Sequence, residues 1–152
     1  ALSNPIFTAD ARAAMARALG SIGRANAAPG LVAALGAPEP AVKVAAVSAL
    51  RDVEGFTNAG VAEGLLTDAD EEVRAQAAMT FGALRSTTGA ATLVGVLGSD
   101  PSENVRKKVA WALGEMRAPA ALAAAGLQHA ASNDTSPLVR SIASAAIGKL
   151  SR

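Results

Sequence analysis

The chain has 152 residues, of which 39 are Ala, and it carries 14 Lys or Arg against 13 Asp or Glu. With 51% apolar residues and a net charge of +1, it is too apolar and too evenly charged to be disordered, and it offers no cationic excess for nucleic acid or an anionic membrane. The absence of Cys excludes disulfides and thiolate metal sites, and no apolar run is long enough for a membrane span. Because Ala favours helices and aromatic residues are few, the composition predicts an all-α protein.

A basic residue that follows an apolar one recurs along the chain and divides it into repeats. The basic column consists of Arg12, Lys43, Arg74, Arg106 and Arg140, spaced 31, 31, 32 and 34 residues apart. We call the basic residue of each repeat its anchor. A helix-capping side chain stands four residues before the anchor in every repeat but one: Thr8, Asp70, Ser102 and Ser136, with Glu39 as the exception. These signals predict that each repeat opens with a helix, near 9–21, 40–53, 71–85, 103–117 and 137–150.

A shorter second helix is expected to follow in the first four repeats, roughly over 27–35, 58–66, 88–97 and 119–131. Gly36 and Gly98 are placed where a left-handed cap would end such a helix. Two helices per repeat, restarted four times, predict a right-handed α-solenoid of antiparallel helix pairs with about four and a half repeats. It would form a single domain over 1–152, with repeats at approximately 5–38, 39–69, 70–101, 102–135 and a half repeat at 136–152.

The positions of the alanines indicate close helix packing. Three and six residues after the anchors stand mainly Ala, and larger apolar residues stand just before the anchors and seven residues after them. Small side chains at these positions let neighbouring helices approach each other. The Ala columns contain Ala18, Ala46, Ala49, Ala77, Ala112, Ala143 and Ala146.

The spacing Asp-x5-[Arg/Lys], ahead of endings similar to Ala-x2-Ala-Leu-Gly, resembles HEAT repeats, in particular the short bacterial type also seen in phycobilisome lyases. It stands here as Asp68…Arg74, Asp100…Arg106 and Asp134…Arg140. The resemblance implies that these residues form a ladder inside the stack that ties one repeat to the next. We expect each cation to pair with the Asp six residues before it. Ala37 and Lys43 depart from the pattern, which puts the ladder in question between the first two repeats.

Few residues suggest a site. Trp111, the only Trp, could be an interface anchor or could pack between neighbouring first helices, for example against Met79. Polar residues of the second helices are the other candidate contacts with a partner: Asn58, Glu63, Thr92 and Gln128. His129 is the only His and is expected to be a solvated residue near a helix end, so we predict no metal site. No catalytic set and no Gly-rich phosphate loop is present, so we predict neither catalysis nor a cofactor.

Three functions remain open at this stage. The first is a non-catalytic scaffold that binds a protein or peptide on a concave face lined by the second helices. The second, implied by the resemblance, is a phycobilin lyase or lyase subunit, for which one His and few aromatic residues offer little to line a tetrapyrrole pocket. The third is a DNA-binding helical-repeat protein, which the net charge of +1 disfavours.

The ends of the chain give two further expectations. The chain starts at Ala1 rather than Met, so we expect a processed or excised piece of a longer protein. The last repeat has no second helix, so Ile142, Ala146 and Leu150 are expected to meet a further segment or a second copy of the chain. The sequence does not fix the compartment, and we favour a soluble, cytoplasmic protein.

Overall fold

A computed structural model describes residue 2 and residues 6–151, and every regular element in that part of the chain is helical. A 3₁₀ turn (Ala25–Ala27) leads into the second helix of the first repeat. In chain order the helices are α1 (Ala9–Ile22), α2 (Ala28–Ala34), α3 (Pro40–Leu50), a 3₁₀ helix (Ala59–Thr67), α4 (Glu71–Ala83), α5 (Ala90–Ser99), α6 (Glu103–Glu115), α7 (Ala120–Asn133) and α8 (Pro137–Leu150).

The first helices of the repeats (α1, α3, α4, α6 and α8) begin where the capping residues predict. The Thr8 hydroxyl accepts a hydrogen bond from the backbone N–H of Ala11 at 3.2 Å. Asp70, Ser102 and Ser136 cap their helices in the same way. Glu39 caps nothing, as expected, and α3 instead starts with Pro40, whose missing N–H needs no partner there.

The second helices are less regular than predicted. The segment expected to be helical over 58–66 is a 3₁₀ helix, and its two glycines, Gly60 and Gly64, disfavour an α-helix there by about 1 kcal/mol each. The expectation that Gly36 and Gly98 are left-handed caps is wrong, because neither has a positive φ and Gly98 lies inside α5. The left-handed cap of α1 is Gly23, at φ +66°.

The helices form two layers. First helices pack on first helices in chain order, from α1 to α8, and the second helices from the 3₁₀ helix to α7 pack on each other beside them. Each second helix also packs against the first helix of the next repeat, so the layers interlock. The core between them is continuous, and its largest fully buried side chain is Phe81. This arrangement confirms the predicted α-solenoid.

First helices approach most closely where Gly meets Ala. The backbone of Gly114 lies against Ala146, so that a Cβ added to Gly114 would stand 2.7 Å from the Ala146 Cβ. Gly20 lies against Ala49 in the same way. All seven alanines of the predicted columns are buried except Ala18. The small residues therefore set the distance between neighbouring repeats.

The second repeat breaks this column, because Arg51 stands where Gly20, Gly82 and Gly114 stand in their repeats. The Arg51 guanidinium reaches across to the next first helix and donates from Nη2 to the side-chain oxygen of Gln76 at 2.9 Å. Burial lowers the pKa of Arg51, against the smaller opposing effect of Asp52. A long polar side chain thus replaces the backbone contact at the junction of the second and third repeats.

At the end of the stack, the expectation that Ala146 is free to meet another segment is wrong. Ala146 is buried against Gly114, and Ile142 and Leu150 are partly buried against the core. The side of α8 that faces away from α6 and α7 exposes Leu138 and Ala145 instead. The buried face of α8 was misassigned because both faces carry small and apolar residues. The sequence alone does not show which of the two faces packs against the preceding helix.

Replacing Gly114 by Ala tests the close approach. The added methyl would meet both the Cβ and the backbone Cα of Ala146, so we expect the free energy of unfolding to fall by about 1–3 kcal/mol. Urea unfolding followed by circular dichroism measures it. Gly148, in the same column of α8, has nothing within 4 Å, so Gly148→Ala should raise stability by about 0.5 kcal/mol. Equal effects of the two substitutions would contradict the packing described.

Candidate functional site

A ladder of hydrogen-bonded charges runs along one edge of the stack, at the N-terminal ends of the first helices. Arg74 donates from Nε to the Asp100 carboxylate at 2.7 Å and from Nη2 to its other oxygen at 3.2 Å. Its Nη1 donates to the backbone carbonyl of Asp68 at 2.9 Å. One guanidinium therefore joins the loop that precedes its own helix to the loop that precedes the next first helix.

Arg106 repeats this geometry one step along. It donates to both oxygens of Asp134, at 2.8 and 3.1 Å, and to the backbone carbonyl of Asp100 at 2.9 Å. The expected side-chain pairing of each cation with the Asp six residues before it is wrong: that residue contributes only its carbonyl. The paired carboxylate comes from the loop that leads into the next first helix, because stacking brings that loop beside the cation.

The ladder also crosses the first junction of repeats, where its presence was in question. Glu39 supplies the carboxylate and pairs with Arg12. Lys43 then pairs with Asp68 at 2.5 Å. The substitution of Ala37 for Asp is thus offset by a carboxylate two residues later.

The last member of the basic column, Arg140, differs from the others. It donates to the backbone carbonyl of Asp134 at 2.7 Å, as Arg74 and Arg106 do with their own loops. No carboxylate in the described part of the chain pairs with it.

The aspartates of the ladder are well shielded from solvent, whereas Glu39 is partly exposed. The side chains of Asp100 and Asp134 are 5% and 6% exposed. The hydrogen bond from Arg106 lowers the pKa of Asp134 below its usual 3.8, and the N–H of Ser136 adds to the effect at 2.8 Å. Burial alone would raise the pKa of Asp68, but hydrogen bonds from Lys43 and from the N–H of Asp70 outweigh it and lower that pKa.

We define the second-helix surface as the exposed side of the 3₁₀ helix, α5 and α7. It brings together two of the predicted contact residues, since the Thr92 hydroxyl donates to the Glu63 carboxylate at 2.6 Å. Gln128 is exposed on α7. Asn58 lies just before the 3₁₀ helix, at the loop end of the repeats, and lines a different groove.

The α5–α7 groove is an open depression of about 370 Å³ between those two helices. Val94 of α5 and Gly126 of α7 meet at its floor, where a Cβ on Gly126 would be 2.8 Å from the Val94 methyl. His129 and Asn133 line it, and Asp100, Arg106 and Asp134 of the ladder close its end. The ladder therefore fixes one wall of this groove against the other.

Helical spacing places Leu122 on the same face of α7 as His129 and Asn133. Leu122 is 44% exposed, which is high for a large apolar side chain. The Asn133 amide donates to the backbone carbonyl of His129 at 3.0 Å, so the polar end of this stripe is ordered. The sequence analysis did not single out Leu122 and Asn133. The available signal was that Leu122, His129 and Asn133 stand at i, i+7 and i+11, which places them on one face of a helix.

Trp111 lies in the other layer, on α6. Its ring covers the Cα of Gly82 on α4, where an added Cβ would come within 2.6 Å of it. The indole is half-buried between neighbouring first helices. Trp111 is therefore separate from the second-helix surface, and the geometry matches its alternative interpretation as a packing residue.

Within the part of the chain that is described, no cluster of His, Asp or Glu could hold a metal ion. The same residues contain no helix with the length and hydropathy to cross a membrane.

Stacked antiparallel helix pairs joined by a charge ladder define a helical-repeat protein of the solenoid class. The sequence pattern of HEAT repeats matches residues 58–148, which is more than half of the chain. The chain belongs to the HEAT-repeat family. No curated protein matches it.

The lowered pKa of Asp134 makes stability depend on pH. Because the folded pKa lies below the unfolded value, the stabilisation is complete above about pH 5 and is lost as pH falls below about 4. Asp134→Asn should lower the free energy of unfolding at pH 7 by about 1.5–3 kcal/mol, and the difference from the wild type should shrink at pH 3. Denaturant unfolding across this pH range measures both effects.

The matched control is Glu54→Gln, at an exposed carboxylate without an ion pair in the described residues. It should change stability by less than about 0.5 kcal/mol at any pH. A difference between Asp134→Asn and the wild type that stays constant down to pH 3 would contradict the assigned role of Asp134.

Proposed function

We propose that this protein is a non-catalytic scaffold that binds a protein or peptide along its second-helix surface. HEAT repeats commonly serve as protein-interaction scaffolds, and their family is typically non-enzymatic. The observation that carries the proposal is the α5–α7 groove, open and about 370 Å³ in volume, with an exposed Leu122 on the same face of α7.

The composition of this groove suits a polypeptide. Val94, Leu97 and Ala130 supply apolar walls, while His129 and Asn133 supply polar groups along the edge. A peptide offers the same mixture, with apolar side chains for the walls and backbone groups for the edge. Exposed apolar side chains next to ordered polar ones are typical of protein interfaces.

The groove is also held in one shape before any partner arrives. Asp100 and Asp134 are nearly inaccessible to solvent and each accepts two hydrogen bonds from a ladder arginine. Each also accepts one from the backbone of its own loop, at 2.9 and 2.8 Å. A surface held in this way loses little conformational freedom on binding, which favours affinity.

The other two functions make different predictions. A phycobilin lyase should change the absorption spectrum of a bilin on mixing, and a DNA-binding protein should retain an oligonucleotide in a gel at low salt. Either result would count against the scaffold.

The test begins with affinity capture by the full chain, identification of the captured proteins and measurement of each candidate in purified form by calorimetry. Leu122→Glu places a charge on the exposed face of α7 that carries His129 and Asn133, so we expect it to weaken binding at least about tenfold.

The matched control is Leu138→Glu, because Leu138 is 50% exposed but lies on a first helix, α8. It should leave the affinity within about twofold of the wild type. If Leu138→Glu abolishes binding and Leu122→Glu does not, the second-helix surface is not the one used.

A further inference from the structure

A second groove, of about 610 Å³, opens at the opposite edge of the stack from the ladder. Its walls are residues 56–59, the end of α4 with the loop that follows it, and Arg117 in the loop after α6. We propose that this loop-edge groove binds an acidic peptide segment, in which Asp or Glu side chains flank an apolar residue.

The groove owes one wall to the break in the glycine column. At Arg51 the second repeat leaves the regular pattern, and the chain runs without regular helix until the 3₁₀ helix at Ala59. That connection carries Phe56, Thr57 and Asn58 along one side of the groove. Asn58, predicted from sequence to meet a partner, is therefore placed here.

Two cations on the other walls lack partners. The guanidinium groups of Arg85 and Arg117 are in exposed residues, and neither has an ion pair or side-chain hydrogen bond within the described residues. No Asp or Glu lines the groove. Asp52 and Glu54 lie earlier in the connection, outside the lining, and Glu115 at the end of α6 is paired with Lys149. The lining of the groove thus contains two cations and no carboxylate.

The backbone holds these two arginines together. The Arg117 N–H donates to the carbonyl of Ser86 at 2.9 Å, which joins the loops of the third and fourth repeats. Arg85 has a φ of +49°, a left-handed conformation that is uncommon for a residue with a side chain. Such a conformation persists only where surrounding contacts fix it. Here the next residue, Ser86, donates its backbone N–H to the carbonyl of Phe81 at 3.0 Å and so holds the turn at Arg85.

The remaining lining favours an apolar group beside the charge. Phe56 and Leu84 are half-buried and line the groove. The Ser86 hydroxyl donates its hydrogen bond to the carbonyl of Thr88 at 3.0 Å, so it is not available as a donor to a ligand. Guanidinium groups bind carboxylates in a bidentate, planar geometry. A peptide with an apolar residue between two carboxylates offers carboxylates for the arginines and an apolar side chain for Phe56 and Leu84.

Nucleic acid fits this groove less well than a peptide. Tracking a phosphate backbone needs a row of cations, and the groove has two in a protein of net charge +1. The inference rests on the proposed function, since it takes the ligand to be part of a protein. It adds a second contact region with a defined chemistry, away from the α5–α7 groove.

The experiment uses the full chain and fluorescence anisotropy with a labelled peptide of alternating Asp and Leu. A second peptide has Asn in place of Asp, and a third has phosphoserine in place of Asp. We expect the acidic peptide to bind, to lose affinity as salt rises above about 0.1 M, and to bind at least about tenfold more tightly than the Asn peptide. The double variant Arg85→Gln with Arg117→Gln should weaken its binding about tenfold or more.

The matched control is Arg24→Gln, at an exposed arginine that follows α1 and lies outside the groove, and it should leave binding unchanged. Arg85→Glu with Arg117→Glu should bind a Lys–Leu peptide that the wild type rejects, which separates loss of charge from loss of folding. The inference is overturned if the acidic peptide does not bind, if the double Gln variant binds it as the wild type does, or if the phosphoserine peptide or an oligonucleotide binds more tightly. None of these outcomes affects the test at Leu122, so the scaffold proposal can stand or fall separately.

Discussion

The hydrogen bonds from the first four cations of the basic column to the carboxylate just before the next first helix set the register of the whole stack. An ion pair on an open surface adds little to stability, about 0–1 kcal/mol, because water competes for both partners. Arg106 and Asp134 escape that limit, since they form two parallel hydrogen bonds and Asp134 is almost fully shielded. The same guanidinium also donates to the Asp100 carbonyl in the loop before its own helix. A first helix therefore cannot slide past the next one without breaking both hydrogen bonds to Asp134.

Features that depend on a few neighbouring residues could be read from the sequence. Thr8 and Asp70 cap their helices as predicted, because a cap involves only the next three residues. The partner of Arg74 was misassigned, because the choice between Asp68 and Asp100 depends on how two helices stack, and Asp100 is 26 positions away in the chain. The shapes of the two grooves could not be predicted, since one lies between helices and the other between loops of different repeats.

Regular positions and departures from them have different consequences in this protein. Where the repeat is regular, as at Gly114 and Ala146, the residues bring helices together and leave no surface for a ligand. Where it is irregular, as at Arg51, a connection without regular helix follows and a groove forms beside it. The alanine-rich composition therefore explains the stack, and the exception at Arg51 explains where the loop-edge groove forms.

The central claim, that the ladder couples one repeat to the next, is tested most directly by a double-mutant cycle on Arg106→Gln and Asp134→Asn. We expect a coupling energy of about 1–3 kcal/mol in the free energy of unfolding. The reference cycle uses Lys107 and the exposed Glu103, one helical turn apart with 3.9 Å between the charged atoms, for which about 0.5 kcal/mol or less is expected. A coupling between Arg106 and Asp134 no larger than that of the reference pair would contradict the account.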